Sequence, residues 1–291
     1  MTAELEEAYA ACETITRSQA RNFYYGIRLL PVDKRAVLCA VYALARRIDD
    51  IGDGDLPVPE KRRQLGQLRE QLHAPDAGDP VIAAVRDGAT RYQVPLPAFD
   101  ELVDGVEMDV EGCRYETFDE LVTYCRCVAG SVGRLCLGVF GSRPHPRAAH
   151  YADALGIALQ QTNILRDIRE DLLNGRVYLP QDDLDRFGVV LRLDEQGRLD
   201  EQGRLHDPDG ALSALVRVSA ERARGWYAEG MRLVPLLDRR SAACCAAMAG
   251  IYSKLLDRIA QDPASVFDKR LSLSGGQKLA VAGRALLGRQ P

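Results

Sequence analysis

The spacing of apolar residues limits this chain to a helical fold. Over most of its length apolar side chains recur three or four positions apart, and no segment shows the sustained alternation of a half-buried strand. Helices are predicted from just after Pro31 to about Ile48, from near Thr117, from near Pro146, over roughly 209–237 and over roughly 241–261. Asp33 is the predicted N-cap of the first of these. The sequence therefore predicts an all-α protein.

Three Asp-Pro pairs punctuate the helical pattern, at 79–80, 207–208 and 262–263. An aspartate side chain can cap a helix, and proline is favoured in the first turn because its missing N–H is not needed there. Each pair is therefore predicted to start a helix. The string LSGGQ at 273–277 is interpreted as a coincidental match to a nucleotide-binding signature, with Gly275 and Gly276 forming a turn, because the chain has no phosphate-binding GxxxxGK loop.

Composition argues against a secreted, membrane-spanning or nucleic-acid-binding protein. The eight cysteines form no C-x-x-C pair and none is spaced with a histidine for a metal, so they are predicted to be reduced and mostly buried. The acidic N-terminus is not a secretory signal, and no apolar run reaches the roughly 20 residues of a spanning helix. The net charge of −4 gives no reason to expect a nucleic acid as partner. We expect a cytoplasmic protein, with peripheral contact at the inner face of the membrane left open.

The first acidic motif ends an apolar helix. Asp49 and Asp53 are four residues apart and share a helix face, with Asp50 beside them. Carboxylates so placed suit a hard cation such as Mg²⁺, which uses one or two of them together with water and phosphate oxygens. The alternative is an ordinary acidic helix end that leads into a turn. Gly52 is expected to loosen the helix and to leave Asp53 less rigidly held than Asp171.

The second motif is a polar ladder in an otherwise apolar helix. Gln160, Asn163, Asp167 and Asp171 follow one another at spacings of three, four and four. A polar stripe is costly to bury unless it binds something. The alternative is a solvated face with pairs such as Arg166 with Glu170. Two D-x-x-x-D pairs on separate helices could face each other across a cavity and hold metal ions against a diphosphate.

Several long motifs together resemble the squalene/phytoene synthase family. They are ARNFYYGIRLLP at 20–31, YALARRIDDIGD at 42–53, YCRCVAGSVG at 124–133, LQQTNILRDIREDLLNGRVYLP at 159–180 and MAGIYSKLLDRI at 248–259. The resemblance implies one domain over 1–291, an isoprenoid synthase type of helical bundle around a central cavity. The exact repeat LDEQGR at 193–198 and 199–204 lies in the segment 191–208, which is predicted to be a surface insertion.

The resemblance also implies site residues. Two or three Mg²⁺ ions, with Mn²⁺ as a substitute, would be held by Asp49, Asp53, Asn163, Asp167 and Asp171. Diphosphate and prenyl groups would be bound by Arg21, Asn22, Phe23, Arg46, Val128, Gly133, Gln160, Arg166 and Arg176. Tyr124, Arg46 and Tyr252 would be catalytic, with Tyr124 on the cavity wall. The glycines of the 129–133 run either give a prenyl chain room or allow close helix packing.

The expected function is the head-to-head joining of two prenyl diphosphates. The motifs look most like those of bacterial presqualene diphosphate synthases of squalene and hopanoid biosynthesis, which act on two farnesyl diphosphates. A phytoene synthase that uses two geranylgeranyl diphosphates is the alternative within the family. A terpene cyclase and a non-catalytic assembly protein are the alternatives outside it. NADPH is not expected for the first step, and downstream isoprenoid enzymes are expected as partners.

Overall fold

The computed structural model describes residues 2–20, 23–74, 78–193, 198–200 and 203–288, and it is built from α-helices. The helices are α1 Ala3–Gln19, α2 Phe23–Ile27, α3 Val32–Asp53, α4 Val58–His73, α5 Pro80–Arg91, α6 Pro97–Glu111, α7 Phe118–Cys125, α8 Ser131–Phe140, α9 Ala148–Leu173, α10 Gln181–Phe187, α11 Ala211–Gly230, α12 Arg239–Gln261 and α13 Gly275–Leu286. Within the described ranges the only β-type pairing is an isolated bridge between Leu199 and Leu205. The all-α prediction is confirmed.

The apolar faces of two helices, α9 and α3, organise the bundle. The 26-residue α9 packs against α8, α11 and α12, and α3 packs against α1, α5 and α6. One continuous apolar core joins both groups. None of the described helices is long and apolar enough to cross a membrane. The helices α3, α8, α9 and α12 leave a cavity between them, into which the polar motifs project.

Two predicted helices are confirmed, and two others need a correction at one end. Thr117 caps α7 in a capping box with Glu120, and α12 contains the whole predicted range 241–261 and begins two residues earlier. Asp33 is not an N-cap, because the cap position is Pro31, whose carbonyl accepts the Arg35 amide at 2.8 Å. The predicted helix over 209–237 stops at Gly230 and continues only as a 3₁₀ turn, Met231–Leu236, that contains Pro235.

The Asp-Pro pairs behave differently from one another. Asp79 caps α5 and Pro80 begins it, as predicted. Asp207 accepts the amides of Leu212 and Ser213 at 2.9 Å, yet Pro208 stays outside α11, which begins after Gly210. The last pair starts the 3₁₀ helix Pro263–Val266. An aspartate can therefore cap the amides of a helix that its neighbouring proline does not enter.

The LSGGQ string starts a helix, so the predicted turn at Gly275 and Gly276 is wrong. Ser274 caps α13 and forms a capping box with Gln277, and the two glycines occupy the first turn. The spacing of Ser and Gln, S-x-x-Q, is the sequence signal for this box. The string therefore has a local structural role, which is to start α13, and this role does not involve a nucleotide.

The repeat segment is only partly described, since residues 194–197 and 201–202 lie outside the described ranges. Arg198 pairs with Asp207 and Asp209 at 3.1 and 3.0 Å. Leu205 is buried, and its amide bonds to the carbonyl of Phe267 at 2.9 Å. The end of the segment is therefore fixed to the bundle, between α10 and α11.

Two glycines allow α8 and α9 to cross closely beside the cavity. A Cβ on Gly133 would stand 2.3 Å from the carbonyl oxygen of Ala152, and a Cβ on Gly156 would stand 2.2 Å from that of Ala129. Both separations are too short for any side chain. Close helix packing therefore explains Gly133, which also lines the cavity.

We expect Gly156→Ala to destabilise the protein, because the methyl group must push α9 away from the backbone of Ala129. Overpacking of this kind costs about 1–3 kcal/mol of unfolding free energy, measurable by urea denaturation. Gly225→Ala in α11 is the matched control, since nothing lies within 4 Å of its Cβ position. The control should gain about 0.5–1 kcal/mol from helix propensity. Equal effects of the two substitutions would contradict the packing explanation.

Candidate active site

The central cavity has a volume of about 690 Å³ and joins an apolar interior to a polar end. Its apolar wall includes Ile27, Leu38, Val41, Val128, Val132, Phe140, Leu155, Leu159 and Leu233, and its polar wall includes Arg46, Asp49, Gln160, Asn163, Arg166, Arg270 and Lys278. Pockets of this size and mixed lining are typical of sites that enclose a small molecule. The arrangement fits a ligand with a long apolar part and a charged group at one end.

The cavity wall next to α8 includes a segment that departs from α-helical geometry. Between α7 and α8 the chain makes a π-helical segment, Arg126–Gly130, so that the backbone stays helical from Phe118 to Phe140. The buried Ser131 hydroxyl donates to the Cys127 carbonyl within this segment. Single π-turns occur often at functional sites. Here the segment places Val128 and Ala129 on the cavity wall.

The α3 motif contributes Arg46 and Asp49 to the cavity. Arg46 pairs with Asp50 at 2.5 Å, one turn further along the helix. Burial raises the pKa of Asp49 to about 7, against the lowering effect of the Arg46 charge. The helix continues through Gly52, whose Cβ position would lie 2.4 Å from a methyl carbon of Val106. Gly52 thus allows close packing on α6, and the helix continues through it to Asp53.

The two acidic motifs converge at their ends. Arg176, just after α9, donates to Asp53 at the last residue of α3, with Nη1 and Oδ1 2.9 Å apart. Asp53 itself is 58% exposed. This ion pair spans the two motifs and brings the end of α3 to the end of α9. The prediction that the motifs share one site is consistent with this contact and with their common cavity.

The α9 ladder is partly buried, which contradicts the solvated-face alternative. Arg166 is only 7% exposed and binds Asp167 instead of Glu170. Arg270, from the loop before α13, also binds Asp167, with Nε 2.9 Å from Oδ1. Asn163 receives no hydrogen bond at its Oδ1 atom from any described residue. Its amide nitrogen donates weakly to Gln160 at 3.3 Å.

Asp171 completes the ladder and is poorly compensated. Burial raises its pKa to about 7, and the charge of Asp167 adds to the increase. The charge of Arg176 acts in the opposite direction. A carboxylate in this setting would be stabilised by an additional cation.

A half-buried carboxylate outside the two sequence motifs lies close to both of them. Asp109 of α6 accepts hydrogen bonds from the hydroxyls of Tyr124 at 2.7 Å and Tyr178 at 2.8 Å. The two rings stack with centroids 5.3 Å apart. Burial raises the pKa of Asp109, while both tyrosine hydrogen bonds lower it. Its charge also raises the pKa of both Asp49 and Asp171, so Asp109 lies within electrostatic reach of both motifs.

Tyr124 therefore occupies a different place from the one predicted. It is buried and lies outside the cavity wall, because its hydroxyl is directed at Asp109. In the sequence, Asp109 is one of three acidic residues in LVDGVEMDV, and nothing local distinguishes it from Asp104 and Glu107. The tyrosines come from α7 and from the loop after α9, so no local spacing connects them.

Aromatic rings line the cavity near α2. Phe23 stacks on Tyr252 with centroids 5.4 Å apart, and it lies 6.4 Å from Tyr42. All three rings line the cavity. The placement of Phe23 and Tyr252 there is as predicted. Aromatic faces are favourable neighbours for a cation.

The other predicted residues divide into three groups. On the cavity wall are Phe23, Arg46, Asp49, Val128, Gly133, Gln160, Asn163, Arg166 and Tyr252. Beside the wall, paired or close to the two motifs, are Asp53, Asp167, Asp171 and Arg176. Arg21 and Asn22 lie outside the described residues. Sequence analysis did not predict Arg270 and Lys278 on the wall.

The donor set suits a hard divalent cation, although no three acidic, histidine or cysteine side chains of the described residues form a single cluster. Every candidate ligand offers oxygen, which Mg²⁺ prefers. The Oδ1 atom of Asn163, which has no hydrogen-bond partner among the described residues, and the raised pKa values of Asp49 and Asp171 favour an added cation. Since Mg²⁺ commonly takes only one or two carboxylates and completes its shell with phosphate and water oxygens, separated carboxylates are compatible with it.

We expect Tyr178→Phe to lower stability by about 1–3 kcal/mol, because the half-buried Asp109 would lose one of the two tyrosine hydrogen bonds that stabilise its charge. Tyr115→Phe is the matched control in the same ring cluster, since its hydroxyl has no hydrogen-bond partner in the described structure. The control should leave the free energy of unfolding unchanged or increase it. Urea denaturation of both variants measures the difference, and equal losses would refute the role given to Asp109.

Comparison with known proteins gives consistent matches over nearly the whole chain. A family model described as squalene/phytoene synthase matches residues 16–277. A phytoene synthase of Mycobacterium tuberculosis is 57% identical over 286 residues, which cover 97% of this chain and 92% of that protein. A 15-cis-phytoene synthase of Synechococcus elongatus is 33% identical over 299 residues, which cover 98% and 94%.

Solved structures share the fold. A dehydrosqualene synthase crystallised with a ligand superposes with a TM-score of 0.84 at 31% identity and covers 97% of this chain and 96% of its own. The squalene synthase HpnC from Alicyclobacillus acidocaldarius superposes with a TM-score of 0.76 at 28% identity and covers 90% and 96%.

Proposed function

The chain belongs to the squalene/phytoene synthase family and is a prenyltransferase, and we propose that it is a phytoene synthase that joins two molecules of geranylgeranyl diphosphate. The observation that carries this choice is the 57% identity, over 97% of the chain, to proteins named phytoene synthase. The sequence motifs had favoured farnesyl diphosphate, with geranylgeranyl diphosphate as the alternative. The relatives support the alternative.

The polar end of the cavity would bind the diphosphate groups. Arg166 and Arg270 already flank Asp167, and Arg46 lies on the opposite wall. A guanidinium donates pairs of hydrogen bonds to phosphate oxygens and keeps its charge at any physiological pH. These residues would hold the donor so that its diphosphate leaves with the bonding electron pair, which produces an allylic cation.

The apolar part of the cavity would protect that cation. Side chains of α3, α8 and α9 would exclude water from this space. Water would otherwise add to the cation and convert it into a prenyl alcohol. The rings of Phe23, Tyr42 and Tyr252 present π-faces to the same space. The C2–C3 double bond of the acceptor would attack the cation, and loss of a proton would close a cyclopropane that still carries the acceptor's diphosphate. Departure of this second diphosphate, rearrangement of the cyclopropyl cation to a 1–1′ linked cation and loss of a second proton would give phytoene, with two diphosphates released and no reductant consumed.

Mg²⁺ is the proposed cofactor. Asp49 and Asp53 on α3, with Asn163, Asp167 and Asp171 on α9, would hold it. When bound, it would neutralise the diphosphate and make it a better leaving group. The ion pairs of Asp53 with Arg176 and of Asp167 with Arg270 keep these carboxylates compensated and oriented.

A second candidate is condensation of two farnesyl diphosphates. It is favoured by the dehydrosqualene synthase, whose structure superposes over 97% of this chain at 31% identity. Both reactions need the same polar end, and they differ in the length of prenyl chain that the apolar part must hold. The two candidates are therefore separated by substrate preference.

We expect Asp171→Asn to weaken Mg²⁺-dependent binding of inorganic pyrophosphate about tenfold or more, which corresponds to about 1.4 kcal/mol of binding free energy. Titration calorimetry with and without Mg²⁺ measures this directly. Asp55→Asn is the control, because Asp55 is exposed and lies two residues beyond the α3 motif. Unchanged binding by Asp171→Asn would exclude this carboxylate as a metal ligand.

We expect kcat/KM for geranylgeranyl diphosphate to exceed that for farnesyl diphosphate by about tenfold or more, since the cavity must match one chain length. Purified protein is incubated with each substrate and Mg²⁺, with and without NADPH, and the products are identified by mass. Phytoene without NADPH is the expected product. Preferred turnover of farnesyl diphosphate would support the second candidate, and no turnover of either would refute the proposed activity.

A further inference from the structure

The helices α8 and α9 run antiparallel along the cavity. Gly156 of α9 lies against the backbone of Ala129, and Ala152, one turn earlier in α9, lies against Gly133, one turn later in the chain. A step along α8 towards its C-terminal end therefore leads away from the polar ladder of α9. The end of α8 marks the end of the cavity that is farthest from the charged side chains.

Phe140, the last residue of α8, lies at this apolar end. Gly133, Cys136 and Phe140 line the cavity at intervals of three and four residues, so they share one side of the helix. Phe140 is about two turns beyond Gly133. On α9, both Asn163 and Ala152 line the cavity, and a rise of about 1.5 Å per residue separates them by roughly 16 Å. The cavity therefore extends along both helices from the polar side chains to Phe140.

A second pocket lies on the other side of Phe140. It has a volume of about 610 Å³, opens on the protein surface and shares Phe140 with the central cavity. Its other lining residues belong to the turn after α8 and to the segment that leads into α12. The 3₁₀ turn Met231–Leu236 also lies between the two spaces, since Leu233 lines the cavity and Leu236 lines the outer pocket. Phe140 and this turn therefore form the partition between the cavity and the outer pocket.

Polar side chains from two other helices hold the backbone of Phe140 in place. Its carbonyl accepts a hydrogen bond from the ammonium group of Lys34 on α3, and another from the buried hydroxyl of Ser241 on α12 at 3.4 Å. Lys34 also donates to Ser241 at 3.1 Å and forms an ion pair with Asp238, with Nζ and Oδ2 2.7 Å apart. Phe140 is only 3% exposed, so its ring is enclosed as well. A wall residue that is fixed in this way gives the cavity a defined length.

We propose that the ring of Phe140 is the stop that sets the longest prenyl chain the cavity accepts, and that Lys34 is the positioning residue that holds this stop. The inference rests on the proposed function, because it concerns a prenyl diphosphate bound by its charged group at the polar end. The tail of the chain would then point along α8 towards Phe140. A chain that is one isoprene unit too long would have to displace the ring, whereas a smaller residue at this position would let the tail pass into the outer pocket.

The test is the affinity of the full chain for two unreactive analogues in the presence of Mg²⁺, measured by titration calorimetry. They are the thio-diphosphates of geranylgeraniol and of geranylfarnesol, which is one isoprene unit longer. The unaltered chain should bind the shorter analogue about tenfold or more tightly than the longer one, because the extra unit does not fit. Phe140→Ala should reduce this ratio about tenfold by opening the partition. Phe140→Leu, a milder variant that keeps the fold if Phe140→Ala does not, should reduce it about threefold.

Lys34→Met should also reduce the ratio, by about threefold, and leave the affinity for the shorter analogue unchanged, because it loosens the wall without touching the ligand. The matched control is Phe99→Leu, at a fully buried ring of α6 that does not line the cavity. This control should keep the ratio of the unaltered chain. Far-UV circular dichroism checks the fold of each variant.

The outcomes separate this inference from the proposed function, because the analogues are bound and not turned over. An unchanged ratio in a folded Phe140 variant would overturn the role of Phe140 and leave the proposed function intact. An equal change in Phe99→Leu would overturn it as well, since the effect would then not come from the partition. The expected ratios together with no turnover of the reactive substrates would support the stop and refute the proposed activity. Absence of binding of both analogues by the unaltered chain would overturn both.

Discussion

Carboxylates at or close to the wall of a largely apolar cavity are the constraint on which the rest of the structure depends. Removing a charge from water is expensive, and Asp49, Asp109 and Asp171 all have raised pKa values because they are buried. The fold meets this cost with guanidinium groups and tyrosine hydroxyls. Arg176 bridges the two acidic motifs, and Tyr124 and Tyr178 both donate to Asp109. The helices are arranged so that these partners reach their acids from separate parts of the chain.

Some of these polar side chains have charged or hydrogen-bonding partners and others do not. Those with fewer partners lie where a ligand would bind. Asp53 and Asp167 have arginine partners, whereas no described residue donates a hydrogen bond to the Oδ1 atom of Asn163, and burial raises the pKa of Asp171 to about 7. If every polar side chain of the site were already paired with another side chain, binding a cation and a diphosphate would add little stabilisation. The partly satisfied state leaves binding energy for both. The apolar walls strengthen these interactions, because few water dipoles screen them.

How far the sequence predicts this site depends on whether the signal is local. The pairs Asp49 with Asp53 and Asp167 with Asp171 are visible because helix geometry converts a spacing of four into a shared face. The all-α fold follows from periodicity in the same way. Asp109 was missed because its partners are distant in the chain, and the burial that gives it weight arises only in the folded bundle. Tyr124 was assigned to the cavity wall because its motif was recognised, but the hydrogen bond to Asp109 decides where its ring lies. Gly275 and Gly276 were misinterpreted because the capping box around them was overlooked.

The π-helical segment between α7 and α8 has a consequence for how the cavity wall is encoded. A π turn contains one residue more than an α turn, so the segment Arg126–Gly130 is equivalent to a one-residue insertion into a continuous helix. Each residue of an α-helix advances the side-chain direction by about 100°. Everything after the segment, including Gly133 at the crossing with α9, therefore points about a quarter turn away from where an uninterrupted helix would direct it. The one extra residue in the π-helical segment thus determines which side chains of α8 face the cavity. The shape of this wall therefore depends on helix register as well as on the chemical nature of the side chains.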